Sequence, residues 1–210
     1  MTQQQSARRV LFLMSPATYR AGAFLSAARN LNLEIVVGID LPETLSEYWH
    51  VPLGLDFTDP ESSLRTIVEY AQASPLAAII SVDDSASELA ARACAALGLP
   101  QNSPQAAEAA RDKLLMRTLM SQGGAPCPVF RPFPLSENPH DIAVQISYPC
   151  VVKPLRLSGS RGVIRADDPG EFVAAFLRLK RLLLSEGNAE DDTSILVEDF
   201  IPGFEVALEG

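Results

Sequence analysis

Short apolar runs alternate with helix-like segments through the first hundred residues. Three runs have the length and apolar content of strands buried on both faces; they are residues 10–14, 33–39 and 76–82. Apolar residues at helical spacing predict three helices; these cover residues 19–31, 61–73 and 85–97, and Gly98 ends the last one. Strands that alternate with helices predict βαβ units around a parallel sheet.

Polar residues follow the predicted strands of this first region. Ser15 to Tyr19 come after the first run, Asp40 after the second, and Asp83 and Asp84 after the third. The carboxyl ends of parallel strands meet at one edge of a sheet, where ligand-binding groups collect in this class of fold. We therefore expect these side chains to lie near one another.

The pattern changes after residues 100–104, where two prolines, an Asn and a Ser indicate a domain boundary. One helix is predicted over 104–122, ended by Gly123-Gly124, and five prolines make 126–139 an extended segment. Strands and a single long helix are then predicted in irregular order: strands over 149–154, 163–166, 194–200 and 205–208, and a helix over 169–185. The sequence thus predicts an α/β protein, with a parallel-sheet domain over residues 1–104 and an incomplete α+β domain over 105–210.

Composition excludes several classes of protein. Apolar residues make up 47% of the chain and charged residues 20%, which is typical of a globular protein. The formal net charge is −9 and neither half is basic, so a nucleic-acid-binding surface is not expected. The three scattered cysteines form no metal or disulfide pattern and fit a reducing cytoplasm. No apolar stretch is long enough to span a membrane, and the run at 10–14 fits a first strand better than a secretory leader.

A loop with two glycines is the first candidate for binding phosphate. Residues 157–163 read LSGSRGV, and glycines three positions apart let backbone amides approach a ligand closely. Two hydroxyl groups and one arginine add side-chain donors. The loop lies between two predicted strands, so it would cover phosphates as a flap, and neither GxGxxG nor GxxxxGK[ST] occurs in the chain. A solvent-exposed hairpin is the alternative interpretation.

Two lysines are candidate phosphate ligands. Lys153 ends the otherwise apolar strand YPCVVKP, and its ammonium either reaches solvent by snorkelling or binds a phosphate oxygen. Lys113 follows Asp112 on the predicted helix over 104–122. Adjacent residues do not form a helical ion pair, so a solvated helix face is the alternative there.

Two carboxylates near the end of the chain complete the set of candidate binding residues. In the segment LVEDFIPGFE, alternation places Glu198 on the same face as Leu196 and Phe200. A half-buried carboxylate needs a hydrogen-bond donor. Glu205 follows a tight turn and could project back to the same place. A structural salt bridge is the alternative interpretation for each carboxylate.

Taken together and in this order, the strings YPCVVKP, SGSRGV and LVEDFIPGFE resemble the ATP-grasp superfamily. The resemblance covers about residues 108–210, and the preceding βαβ region resembles the Rossmann-like pre-ATP-grasp domain of that family. It implies that Lys113 and Lys153 contact phosphates and that Glu198 accepts a hydrogen bond from the adenine amino group. The implied flexible loop over the phosphates consists of Ser158, Gly159, Ser160, Arg161 and Gly162.

The resemblance also implies how the rest of the nucleotide is bound. The backbone of Phe200 and Ile201 would read the adenine edge, and Glu205 would bind the ribose hydroxyls. In the family, ATP phosphorylates a carboxylate, and an amine or related nucleophile then attacks the acylphosphate, as in carboxylate–amine ligases and biotin-carboxylase-like enzymes. Magnesium screens the phosphates.

The family's metal ligands and its acylphosphate-binding arginine lie well after the ribose-binding Glu. This sequence ends at Gly210, five residues after Glu205. We therefore expect the Mg²⁺ ligands downstream of this chain, no catalytic residue within it, and no ligase turnover by this truncated chain alone.

The expected partners are ATP and an unidentified carboxylate and amine. A homo-oligomer or a complementing C-terminal chain is compatible with the sequence, whereas nucleic acid and membrane are not expected. The alternative function is a truncated, catalytically inactive ATP-binding or structural module. A nucleotide-sugar or dinucleotide binder is disfavoured because no Gly-rich turn follows the first strand.

Overall fold

The computed structural model describes residues 8–41, 45, 53–190 and 193–206, and it contains two four-stranded sheets. The chain divides into two units, Met1–Glu108 and Ala109–Gly210, each with its own sheet. The predicted α/β class is confirmed, with one parallel and one antiparallel sheet.

The first unit contains the parallel sheet. Its strands lie in the order β3-β2-β1-β4; they are β1 (Arg9–Met14), β2 (Glu34–Asp40), β3 (Leu53–Leu55) and β4 (Ala78–Ser81). The described helices are α1 (Ala21–Asn30), α2 (Pro60–Ala73) and α3 (Ser87–Leu97), with a 3₁₀ turn at Asp84–Ala86. Helix α4 (Pro104–Arg111) begins in this unit and ends in the second. The sequence did not predict β3, which has only three residues.

Strand β1 is buried on both faces, as its apolar run predicts. Leu11 and Leu13 pack in one core cluster with residues of α2 and α3. Phe12, on the opposite face, packs edge-to-face against Phe24 of α1, with ring centroids 6.1 Å apart. Helices therefore cover both faces of this sheet, as in doubly wound proteins.

The polar residues at the carboxyl ends of these strands form hydrogen bonds with residues of neighbouring loops. A carboxylate oxygen of Asp83 accepts hydrogen bonds from the amide and the hydroxyl of Ser15, both at 3.0 Å. Asp40 accepts from the amide of Phe57 at 3.0 Å. These carboxylates thus satisfy backbone donors of loops that leave the sheet.

The second unit contains the antiparallel sheet, with strand order β5-β8-β6-β7. Its strands are β5 (Phe130–Pro134), β6 (Cys150–Pro154), β7 (Ile164–Ala166) and β8 (Ser194–Asp199); its helices are α5 (Lys113–Gln122), α6 (Pro139–Ala143) and α7 (Pro169–Ser185). Helix α7 buries Phe172, Phe176 and Leu179 completely in a core that includes Val152 and Ile195. Asp168 caps this helix by accepting from the amide of Glu171.

The prediction of a single helix over 104–122 is wrong, because this segment forms two helices. Asp112 has extended backbone angles (φ −118°, ψ 108°) and separates α4 from α5. Its carboxylate accepts hydrogen bonds from the amides of Leu114 and Leu115, so it is the N-cap of a new helix.

Two smaller differences concern the second unit. The short helix α6 was not predicted; it begins at Pro139, the last residue of the segment that the prolines predicted to be extended, and continues to Ala143. Of the strand predicted over 205–208, Glu205 and Val206 are irregular and the other two positions lie outside the described residues. No helix in the described part of the chain is both long and apolar enough to cross a membrane.

Gly162 lies where the loop between β6 and β7 approaches α7. It has φ +75°, and a Cβ there would lie 2.7 Å from a methyl group of Leu179. Gly159 has φ +63° but open space around its Cβ position.

We predict that Gly159→Ala lowers the free energy of unfolding by about 1 kcal/mol through its left-handed backbone, and that Gly162→Ala lowers it by roughly 1–3 kcal/mol more through overpacking. Urea denaturation of both variants measures the difference, and equal losses would contradict the packing argument.

The boundary expected between residues 104 and 105 remains a prediction. Residues 98–103 join α3 to α4 without a helix or strand, and 100–103 are exposed. We predict that limited proteolysis cuts this segment and releases a stable fragment that begins near it, identified by mass spectrometry. Stable fragments produced instead by a cut near residue 60 would contradict this boundary.

Candidate functional site

One face of the antiparallel sheet carries charged side chains. In the register of the sheet, Glu198 of β8 lies opposite Val151 of β6, and Lys153 of β6 lies opposite Leu196. Side chains two residues apart on a strand share a face, so Lys153 and Glu198 project from the same side. The apolar residues between them, such as Val152, belong to the core under α7.

Glu198 and Lys153 form a nearly buried ion pair. The ammonium of Lys153 lies 2.5 Å from a carboxylate oxygen of Glu198, and the two side chains are 12% and 5% exposed. Alternation along β8 correctly predicts a buried carboxylate that needs a donor. The interpretation that Lys153 snorkels to solvent is wrong, because its charge is held against the sheet.

Arg117 of α5 is a second cation on the same carboxylate. Its Nε donates to one oxygen of Glu198 at 2.7 Å, and its Nη2 donates to the other at 3.3 Å. The sequence prediction did not include Arg117 among the site residues. The available signal was its position four residues after Lys113, which places both side chains on one face of a helix.

These contacts keep Glu198 ionised. Burial alone would raise the pKa of its carboxyl group, but the hydrogen bonds from Arg117 and Lys153 outweigh it and leave the pKa below its ordinary value. The hydrogen bond to Glu198 in turn raises the pKa of Arg117 against the opposing effect of burial. The carboxylate therefore carries its charge at neutral pH between two cations.

Lys113 adds a third cation to the cluster. Burial lowers the pKa of its ammonium, and the nearby charge of Lys153 lowers it further. Its Nζ donates to the carbonyls of Leu157 at 2.7 Å and Leu155 at 3.3 Å, and its amide donates to Leu155 at 3.1 Å. Lys113 is thus not on a solvated helix face; it links the start of α5 to the start of the glycine-containing loop.

The glycine-containing loop, residues 157–163, connects β6 to β7 as predicted. Ser158 to Arg161 are exposed. Gly159, Ser160 and Gly162 have positive φ angles, a combination that turns successive backbone amides in unusual directions. Arg161 is ion-paired with Glu186, just after α7. The geometry is compatible both with a phosphate-covering flap and with an exposed hairpin.

The segment after β8 carries the remaining predicted site residues. The amide of Phe200 donates to the carbonyl of Pro149 at 3.0 Å, so this amide is already engaged. The role of Phe200 and Ile201 at a base edge remains a prediction. The guanidinium of Arg165 lies 4.1 Å from the centre of the Phe200 ring. Glu205 is exposed and, among the described residues, forms no hydrogen bond or ion pair. The structure therefore brings Lys113, Lys153 and Glu198 together but does not bring Glu205 to them.

The described residues fit a polyanion better than a metal ion. No three His, Cys, Asp or Glu side chains in the described ranges gather as a metal site would require. The one nearly buried carboxylate of the cluster, Glu198, is already bound by two cations. We therefore assign no metal-dependent step to these residues.

Comparisons with known proteins agree with this arrangement. The family model of the ATP-grasp N-terminal domain matches residues 25–101, and that of the ATP-grasp domain matches residues 146–210. A D-alanine–D-alanine ligase of Marinomonas sp. (strain MWYL1) is 34% identical over 107 residues, which is 51% of this chain and 31% of that protein.

Solved structures show the same fold. The L-amino acid ligase of Bacillus licheniformis has a TM-score of 0.63 and 25% identity, with 94% of this chain and 45% of that chain covered. Carboxyaminoimidazole ribonucleotide synthase of Aspergillus clavatus, in complex with ATP, has a TM-score of 0.63 and 17% identity, with 93% and 47% covered. This chain thus spans less than half the length of these proteins. Because the two domain models match in their proper order and the fold is shared, the chain belongs to the ATP-grasp superfamily.

Proposed function

We propose that this chain binds ATP on the charged face of its antiparallel sheet. The observation that carries the proposal is the excess of positive charge. Arg117 and Lys153 both bind the carboxylate of Glu198, and the partly buried Lys113 lies close enough for the charge of Lys153 to lower its pKa further. Like charges held together away from water destabilise a fold unless an anion compensates them. A polyphosphate supplies that compensation.

The residues fit the parts of ATP in the following way. The ammonium groups of Lys113 and Lys153 would bind phosphate oxygens, and the exposed amides of the glycine-containing loop would cover them. Glu198 would accept a hydrogen bond from the adenine amino group. The carbonyl of Phe200 and the amide of Ile201 would pair with the base edge.

We further propose that ATP binding serves a ligase reaction. The D-alanine–D-alanine ligase and the L-amino acid ligase are ligases of amino acids by name, which supports a carboxylate and an amine as substrates. ATP would supply the phosphoryl group that activates the carboxylate as an acylphosphate for attack by the amine. Mg²⁺ would screen the phosphates when bound, whereas the residues described here would position the nucleotide.

The first test removes the ammonium of Lys153. We predict that Lys153→Ala weakens ATP binding by about tenfold or more, because a charge-assisted contact contributes roughly 1.5–3 kcal/mol. Isothermal titration calorimetry on the 210-residue chain, with and without Mg²⁺, measures the dissociation constant.

Lys180→Ala is the matched control for this measurement. Lys180 is also a partly buried lysine of the same unit, but it binds Glu190 and the carbonyl of Leu135. Its loss should leave ATP affinity unchanged. An unchanged dissociation constant in Lys153→Ala would show that the Lys153–Glu198 pair is only structural.

The second test concerns the loop over residues 158–162. These residues bury little and are held by few hydrogen bonds, so their amides should exchange rapidly with solvent in the free protein. We predict that ATP slows the exchange at these amides, because a covering flap becomes ordered on its ligand. Hydrogen–deuterium exchange followed by mass spectrometry measures the effect. Protection that is already high without nucleotide, or that ATP leaves unchanged, would contradict the proposed flap.

A further inference from the structure

The carboxylate of Glu198 is shared unequally between its two cations. Arg117 bridges both oxygens, at 2.7 and 3.3 Å, whereas Lys153 binds one oxygen only. A carboxylate has about four acceptor positions, so these three contacts leave room for one more donor. An ammonium has three N–H groups, and this contact accounts for one of those of Lys153.

Three of the five N–H groups of Arg117 face the protein, and two of those three are directed at Glu198. Besides the two N–H groups on Glu198, its Nη1 lies 3.8 Å from the sulfur of Met120. The contacts that the structure gives Arg117 thus join it mainly to Glu198, and an effect of Arg117 on a bound anion through Glu198 has to be separated by experiment from a direct contact.

The effect of Arg117 follows from the net charge that it forms with Lys153 and Glu198. Without Arg117, Lys153 and Glu198 would form a neutral pair, and the charge of Lys153 would be cancelled locally. With Arg117, the three side chains carry one net positive charge. We infer that Arg117 is a positioning residue for polyphosphate binding: it neutralises and orients Glu198, so that the charge of Lys153 remains available for the phosphates. This inference rests on the proposed function.

An arginine suits this task better than a lysine. Its planar guanidinium can bind both oxygens of one carboxylate and fix its orientation. Helix α5 also directs Lys113, one turn earlier, towards the start of the glycine-containing loop. One helix thus places one cation on the carboxylate and another near the loop.

The experiment uses inorganic tripolyphosphate as the probe, because it lacks the base and ribose that other residues would contact. Its dissociation constant is measured by calorimetry for the 210-residue chain and for Arg117→Met, Glu198→Gln, the double variant and Arg117→Lys. The net charge of the cluster of Lys113, Arg117, Lys153 and Glu198 falls by one in Arg117→Met, rises by one in Glu198→Gln and is restored in the double variant.

We expect the affinity for tripolyphosphate to fall when the net charge of this cluster falls. Arg117→Met should bind tripolyphosphate about tenfold more weakly. Glu198→Gln should bind at least as tightly as the unaltered chain, and the double variant and Arg117→Lys should stay within about threefold of it. Glu198→Gln should weaken the binding of ATP but not that of tripolyphosphate, because only ATP has an adenine amino group whose acceptor is altered. Arg9→Met, which breaks an ion pair with Glu34 in the other unit, is the control for general loss of charge.

Each contrary result has a distinct meaning. Unchanged tripolyphosphate binding in Arg117→Met would overturn the inference and leave ATP binding intact as a proposal. A double variant about tenfold weaker than the unaltered chain would show that Arg117 contacts the phosphate directly, which also overturns it. If Arg117→Met does not fold, Arg117→Gln replaces it, because the amide can still donate a hydrogen bond to Glu198 while the charge of the cluster falls by one. The same loss of about tenfold is expected, and an unchanged dissociation constant would overturn the inference. Failure of the unaltered chain to bind either ligand would overturn the proposed function and the inference together.

Discussion

The second unit depends on the ion pairs that the buried carboxylate of Glu198 forms with Arg117 and Lys153. An ionised carboxylate that is 5% exposed is stable only when donors surround it. Arg117 and Lys153 supply those donors from a helix and a neighbouring strand, so three segments distant in sequence meet at one charge. Removing either cation would leave the carboxylate with unmet acceptor positions. The same contacts thus fix the helix on the sheet and define the chemistry of its face.

The glycine-containing loop, unlike the buried ion pairs, lies in contact with solvent. Its residues are exposed, and the left-handed angles of Gly159 and Ser160 give the segment little regular structure. Its two ends are nonetheless anchored: Lys113 binds the carbonyls at its start, and Gly162 packs closely on α7. A segment that is firmly held at both ends and loosely held between them can change conformation without disturbing the core. The fold therefore combines a charged face held by ion pairs with an exposed loop beside it.

The sequence predicts those features that depend on local periodicity. Alternation along β8 places Glu198 on a buried face, and the apolar run of β6 places Lys153 at its end, because a strand has a fixed period of two. The contact with Arg117 depends on how α5 packs on the sheet, and no local pattern specifies that. The break at Asp112 was missed because apolar spacing continues through it and no Gly or Pro marks it. Strand β3 was missed because three residues acquire strand geometry only by pairing with β2.

A structural ion pair and a binding site are often treated as competing interpretations of the same charged residues. Where a buried ion pair serves stability alone, apolar residues of the same shape often serve as well. Here two cations bind one carboxylate. Burial lowers the pKa of the nearby Lys113, and the charge of Lys153 lowers it further. Natural proteins keep such local violations mainly where function requires them. The ion pairs therefore account for the positions of Arg117, Lys153 and Glu198, and the proposed binding of an anion would account for the excess of positive charge.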